Sequence, residues 1–272
     1  MSIQWFPGHM AKAIKQVKKK GSHVDIILEV LDARVPLSSR NPILDEIFPS
    51  KPRLLLFNKA DLSNMYVTNK WIAYFKSKNI EAIAINAISG KESNKIQKVV
   101  KKITKIENRI IKCVVFGIPN VGKSSLINYL IGKKKVLVSD KPGVTKKENW
   151  LAVGKHLMLL DTPGILWPKF EDMNVGYKLA IANCIKAERY DSLQIATYLC
   201  DYLLKEYPNL IKNRFKIEDD ICAPDEIFET IGQKRGCFLS GNEIDYERVY
   251  ELFLREFRGG KMGKVSLERP EN

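Results

Sequence analysis

Mostly apolar runs recur along the first 160 residues, at 24–31, 54–57, 82–85, 110–116 and 156–160. Near-continuous apolarity of this length is the profile of parallel strands buried on both faces. Between the runs the period becomes helical. One helix is expected around 69–78. Farther on, Ile96, Val99, Val100, Ile103, Ile106 and Ile110 repeat at helical spacing, with Lys95, Lys98, Lys101, Lys102 and Lys105 filling the other face. Beyond residue 175 three helices are expected. The first, at 191–207, is stopped by Pro208; the second, at 224–234, ends at Gly236; the third, at 245–258, precedes Gly259-Gly260. In the last of these Val249, Leu252, Phe253 and Phe257 form a core stripe. The predicted architecture is α/β: a mostly parallel sheet within residues 1–174, then a small all-α unit over 175–272.

The chemistry gathers where the runs end. Residues 110–116 deliver Gly117-Ile-Pro-Asn-Val-Gly-Lys-Ser124, which fits G-x-x-x-x-G-K-[ST], and a helix opens from Ser125. The two glycines let backbone N–H groups turn inward around phosphates. Lys123 can reach the β- and γ-phosphates, and the Ser124 hydroxyl can join a magnesium shell. Asn120, Val121, Gly122, Lys123, Ser124 and Ser125 are therefore the expected phosphate-side contacts. Residues 54–57 deliver Asn58-Lys59-Ala60-Asp61, the N-K-x-D pattern of guanine readers. An ionised Asp61 only accepts hydrogen bonds, so it suits the N1–H and N2 donors that guanine has and adenine lacks. A site of that kind can reject the wrong base by roughly 10⁴-fold. Asn58 and Lys59 are expected to brace the loop and cover the base plane. Residues 82–85 lead to Asn86-Ala87-Ile88, a looser match to the S-A-x element, with Asn in place of Ser. Thr145 stands where a switch threonine joins magnesium. Residues 156–160 present Asp161-Thr162-Pro163-Gly164, in which Asp161 can hold a magnesium-bound water and the Gly164 N–H can meet the γ-phosphate.

These motifs are out of their ordinary order. GTPases usually run P-loop, threonine, D-x-x-G, N-K-x-D, S-A-x; here the last two come first. The expected fold is a circularly permuted P-loop GTPase, which is possible where the original termini lie close together at the surface. Gly164 then leads directly into the helical unit, so hydrolysis can be felt there.

Charge adds a partner. The net charge of +14 is uneven: residues 1–174 hold 30 Lys and Arg against 14 Asp and Glu, whereas 175–272 hold 15 against 17. A clustered excess is the footprint of a polyanion binder, and nucleic acid fits better than a membrane surface. Residues 11–20 carry Lys12, Lys15, Lys18, Lys19 and Lys20 and no acid, with Met10, Ile14 and Val17 on one side. Either that cationic face is merely solvated or it meets RNA phosphates. The five scattered cysteines, without C-x-x-C, suggest a reducing compartment. The N-terminus is not of signal-peptide type and no run is long enough to span a bilayer, so a cytoplasmic protein is expected. No heptad or exposed apolar stripe requires a dimer, so a monomer is expected.

The permuted order, together with Trp5-Phe6-Pro7-Gly8-His9-Met10, Asp32-Ala33-Arg34-Val35-Pro36 and the P-loop sequence, resembles the ribosome-biogenesis GTPase A family over essentially the whole chain. That resemblance implies a GTPase of late large-subunit assembly whose helical part contacts ribosomal RNA. The residue after Gly164 is Ile165, where many GTPases place a water-orienting glutamine. His9, in a glycine-flanked segment able to fold over the nucleotide, is the candidate to replace it, against a structural role at a helix start. Asn120 is a candidate potassium ligand, against a local hydrogen bond. The competing function is a GTP-regulated RNA-binding scaffold with incidental hydrolysis. A membrane or tRNA-modification GTPase is disfavoured.

Overall fold

Strand β1 (Ile26–Asp32) is buried from end to end and forms the middle of the sheet. The computed structural model describes residues 18, 21, 23–90, 92–132, 150–161, 172–218, 221 and 223–271. Around β1 lie β2 (Arg53–Asn58), β3 (Glu81–Ala84), β4 (Ile111–Phe116), β5 (Trp150–Val153) and β6 (Leu157–Asp161), in the order β3-β2-β1-β4-β6-β5. All neighbours are parallel except β5, which runs antiparallel to β6 at the edge. The chain reverses its direction of travel across the sheet between β1 and β4. In open α/β sheets that is where ligands bind, beyond the carboxyl ends of the strands.

The strands alternate their side chains between two layers, as the two-residue period requires. Ile26, Leu28 and Val30 join one apolar cluster, together with Ile96 and Val100 of α3 (Ser93–Thr104) and Leu126 and Leu130 of α4 (Lys123–Ile131). On the other face Ile27 packs with Leu44 of α1 (Ile43–Ile47), and Leu31 with Val67, Trp71 and Phe75 of α2 (Met65–Ser77). Helix α2 starts earlier than its apolar pattern suggests, because the Asn64 side chain caps the Tyr66 and Val67 N–H groups. Helix α3 stops at Lys105, which adopts the left-handed conformation. Ile110, assigned above to the same stripe, is instead about half exposed. Edge strand β5 and the short α1 were not legible, since neither carries a clear period.

The first cluster continues into the C-terminal helices: α5 (Met173–Ile181), α6 (Ser192–Glu206), α7 (Asn209–Phe215), α8 (Pro224–Arg235) and α9 (Tyr246–Arg258). Asp191 and Asp245 cap α6 and α9. Val249, Phe253 and Phe257 are buried as the stripe predicts.

One buried ion pair joins these helices to the sheet. Asp32, at the end of β1, is fully buried, and its carboxylate accepts from Arg34 Nε at 2.9 Å and Nη2 at 2.8 Å. Arg34, itself only 2 % exposed, stacks over the Phe257 ring of α9 at 5.6 Å and approaches the Ala182 carbonyl after α5. Burial raises the Asp32 pKa, but Arg34 and Lys59 outweigh it and hold the carboxyl well below the usual carboxylate range. A buried pair of this kind is of doubtful net worth when made but costly to break.

Asp32→Asn should therefore lower stability by about 3–5 kcal/mol, read as a lower urea midpoint with unchanged slope. Because the folded pKa is depressed, Asp32 contributes its stability above the unfolded value of 3.8 and loses it as pH falls below that. The gap between wild type and Asp32→Asn should be constant from neutral pH down to about pH 5 and shrink in stronger acid.

Candidate functional site

At the carboxyl ends of β4, β1 and β2 the backbone is shaped for an anion. Gly117 leaves β4 so close to β1 that a Cβ there would lie 2.5 Å from the Val30 carbonyl oxygen. Gly122 starts α4 with φ +97, and a Cβ on it would meet Asn58 Nδ2 at 2.1 Å. Both positions thus need glycine, for close approach and, at Gly122, for conformation. No side chain caps α4 among the described residues, so its first N–H groups stay available to a phosphate. Lys123 is buried, and its Nζ donates to the Ile118 carbonyl at 2.8 Å, lying across the loop. Ser124 and Ser125 are exposed at the helix start, where a hydroxyl oxygen suits a hard cation such as magnesium.

Asn58 ties the N-K-x-D loop to the P-loop segment. It is buried; its Nδ2 donates to the Val121 carbonyl at 2.7 Å and its Oδ1 accepts from the Ala87 N–H at 2.9 Å. One side chain thus fixes the P-loop, the N-K-x-D loop and the segment after β3 in mutual register. Lys59 adopts φ +58, and its Nζ lies 2.9 Å from Asp32 Oδ2. Asp61 follows on the exposed side of the loop. Asn86 Oδ1 accepts from the Ile88 N–H at 2.9 Å and the Ser89 N–H at 3.2 Å. A serine hydroxyl can make the same kind of turn, so asparagine keeps the local geometry. Asn120, with φ +60, donates from Nδ2 to the Asn183 carbonyl at 2.8 Å. That bond links the P-loop to the segment after α5 and leaves Oδ1, the atom a cation would take.

His9, Lys12, Lys15, Lys19, Lys20, Thr145, Gly164 and the Asp161 side chain lie outside the described residues. Lys18 is exposed, and Asp161 ends β6.

The sequence reading overlooked the tail that follows α9. Residues 262–268 return to the site and run along its loops. Val265 N–H donates to the Leu62 carbonyl at 3.0 Å, and Leu267 N–H to the Arg34 carbonyl at 2.8 Å. Ser266 Oγ accepts from the Asn64 N–H, and the Glu268 carbonyl from Trp71 Nε1 at 3.1 Å. The buried Glu268 carboxylate accepts from the N–H of Leu37 at 2.7 Å, the N–H of Ser38 and the Ser38 hydroxyl. On its other side the tail is held by Tyr202 and Tyr207 of the helices, both donating to the Ser266 carbonyl. A faint signal was present: Met262, Val265 and Leu267 are apolar after a Gly-Gly break, and all three are buried.

Residues 112–218 match the model of a family described as a 50S ribosome-binding GTPase. That segment starts at the P-loop strand, as a permuted order requires, because the N-K-x-D motif lies upstream of it. The chain is 48% identical to Ribosome biogenesis GTPase A of Bacillus cereus, over all of this chain and 95% of the relative. It is 31% identical to Mitochondrial ribosome-associated GTPase 1 of Xenopus tropicalis, over 97% and 94%. Among solved structures, GNP-bound YlqF from T. maritima superposes with a TM-score of 0.70 at 30% identity, covering 96% of this chain and 99% of that one.

If Asn58 sets the register of the loops, Asn58→Ala should weaken GDP binding about 10- to 100-fold, since two buried backbone groups lose their partner. Gly122→Ala should do the same by displacing Asn58. The double variant should be little worse than either single one, because both remove one interaction. Fully additive losses in a titration with fluorescent GDP would show that the two act separately.

Proposed function

The chain belongs to the ribosome biogenesis GTPase A family, and on that premise we propose that this GTPase acts late in maturation of the large ribosomal subunit. In this reading the GTP form docks on the particle through its basic surface and ribosomal RNA, and stimulated hydrolysis releases it. The work is done in the cytoplasm. The observation that carries the proposal is the Asn58 bridge between the guanine-reading and phosphate-binding segments, continued by the tail that ties those loops to the C-terminal helices. A change at the nucleotide therefore has a bonded route to residues 175–272, which we take as a separate helical unit behind a GTPase unit of residues 1–174.

Asp61 reads the guanine edge, Asn86 and Ala87 hold the loop beside its O6, and Lys59 covers the ring. Asn120, Val121, Gly122, Lys123, Ser124 and Ser125 surround the phosphates, with Lys123 swinging from the Ile118 carbonyl to the β- and γ-oxygens. Ser124, Thr145 and, through water, Asp161 supply hard oxygen donors for magnesium. Magnesium, when bound, offsets the charge that develops on the transferring phosphoryl group. Among the described residues no three His, Cys, Asp or Glu side chains converge. That fits a cation carried in mainly by phosphates and held by one or two protein oxygens. The Gly164 N–H meets the γ-phosphate, His9 orients the attacking water that Ile165 cannot, and Asn120 Oδ1 offers a place for potassium. Lys12, Lys15, Lys18, Lys19 and Lys20 face RNA phosphates.

The deciding experiment is GTP turnover with purified large subunits, small subunits or neither, at one ionic strength, because polyanion binding varies steeply with salt. Stimulation by large subunits alone is the expected result; equal, weak turnover in all three would favour an RNA-binding scaffold. His9→Ala should lower stimulated turnover by about 100-fold or more while GTP affinity is kept. Unchanged turnover would return His9 to a structural role. Potassium should raise turnover over sodium at equal concentration; equal rates would remove the ion from Asn120.

A further inference from the structure

Helix α2 and Lys78, the residue just past its C-terminal end, place Tyr66, Lys70, Tyr74 and Lys78 four residues apart, so each neighbours the next along the helix surface. The inward face, Val67, Trp71 and Phe75, is buried in the core. The outward residues form two cation–π pairs, with Lys70 Nζ 4.8 Å from the Tyr66 ring centroid and Lys78 Nζ 4.5 Å from that of Tyr74. Tyr74 also packs edge-on against Trp71 and Phe75. Tyr66 has no such support: it is 69 % exposed. From Met65 to Lys78 there is no Asp or Glu. Beside Tyr66 opens a cleft of about 320 Å³, lined also by Val67, Lys70, Arg269, Pro270 and Glu271. Arg269 pairs with Glu206 at 2.9 Å and remains more than half exposed.

We propose that this face binds single-stranded or looped RNA, a base stacking on Tyr66 at the cleft and Lys70 and Lys78 meeting phosphates. The inference rests on the reading that the chain docks on ribosomal RNA, and it assigns one surface to that contact. Interleaved aromatic and basic side chains are what an unpaired strand needs, because every base has a π-face to stack and every linkage a charge to neutralise. The lysines already lie against aromatic rings, so their positions are set before the strand arrives. From Tyr66 to Lys78 the helix rises about 18 Å, enough for several nucleotides of an extended strand. A bilayer surface is the poorer match, since the apolar face of α2 is spent on the core. An exposed cation–π pair adds little to folding, so the surface can be altered without unfolding the chain.

The test uses the whole chain loaded with a non-hydrolysable GTP analogue and two probes, a labelled 12-nucleotide oligouridine and purified large subunits, over a range of KCl concentrations. Tyr66→Ala should weaken binding of the oligouridine about 10-fold, and Tyr66→Phe should keep it. Lys70→Glu with Lys78→Glu should make the slope of log affinity against log salt shallower by about 1.4. Thermal midpoint and GDP affinity should stay at wild-type values in all three variants. Wild-type affinity and salt slope in the Tyr66→Ala and double-lysine variants would overturn the proposal while leaving the ribosomal reading intact. Lost subunit binding with unchanged oligouridine binding would make the occupant a protein and overturn the RNA assignment. A wild-type chain that binds neither probe would remove the ribosomal reading and this surface with it.

Discussion

A buried carboxylate at the end of the central strand holds this structure together at its functional edge. Asp32 is fully buried, so its charge must be met by protein, and two cations from different directions do so. Arg34 binds it with two nitrogens and passes on to the Phe257 ring of α9 and the Ala182 carbonyl just after α5. Lys59 binds it from the N-K-x-D loop after β2. The N-K-x-D lysine and the arginine of Asp32-Ala33-Arg34 thus share one counter-ion, and if either moves away the buried carboxylate keeps only part of its compensation.

The tail after α9 adds a second connection across the same gap. Its hydrogen bonds reach the loops that follow β1 and β2, while Tyr202 and Tyr207 hold it from the helical side. Single bonds of this type contribute only about 0.5–1.5 kcal/mol net, and those to a carboxylate about 1.5–3. The tail is therefore held by many modest contacts plus the burial of Met262, Val265 and Leu267, an arrangement that can respond to loop movement without unfolding the core. Asn120, bonded to the Asn183 carbonyl, gives the P-loop a third link. Permutation makes this economical in chain length: the helices follow the D-x-P-G motif directly in sequence, and the chain then loops back to the N-K-x-D segment.

Much of this was legible in the sequence because the informative features are local. The apolar runs at 24–31, 54–57 and 110–116 have no competing reading, and Gly117, Gly122 and Lys123 at their spacing admit little besides a phosphate loop. Asn58, Lys59 and Asp61 stood out through the N-K-x-D pattern and the acceptor-only chemistry of a carboxylate. The roles of Asp32 and Glu268 were not legible, since a carboxylate looks the same in sequence whether it faces solvent or a buried guanidinium 2.8 Å away. The Asn58 bridge was half visible: bracing was expected, but its two partners, Val121 and Ala87, come from segments 63 and 29 residues distant. Helix α2 began earlier than its pattern suggested because the cap at Asn64, a polar residue outside the apolar period, decides the start. Tyr66 and Lys70 carried no signal until the fold showed which side of α2 faces outward.

The central claim is that the nucleotide state reaches the C-terminal helices through these links and sets the affinity for the particle. The most direct measurement is equilibrium binding of the full-length chain to purified large subunits, loaded in turn with a non-hydrolysable GTP analogue and with GDP, at one ionic strength. Binding at least about tenfold tighter is expected in the GTP-analogue state, a coupling within the usual 1–3 kcal/mol. Equal affinities in the two states would contradict it, leaving the bonded route between site and helices as architecture without a switch.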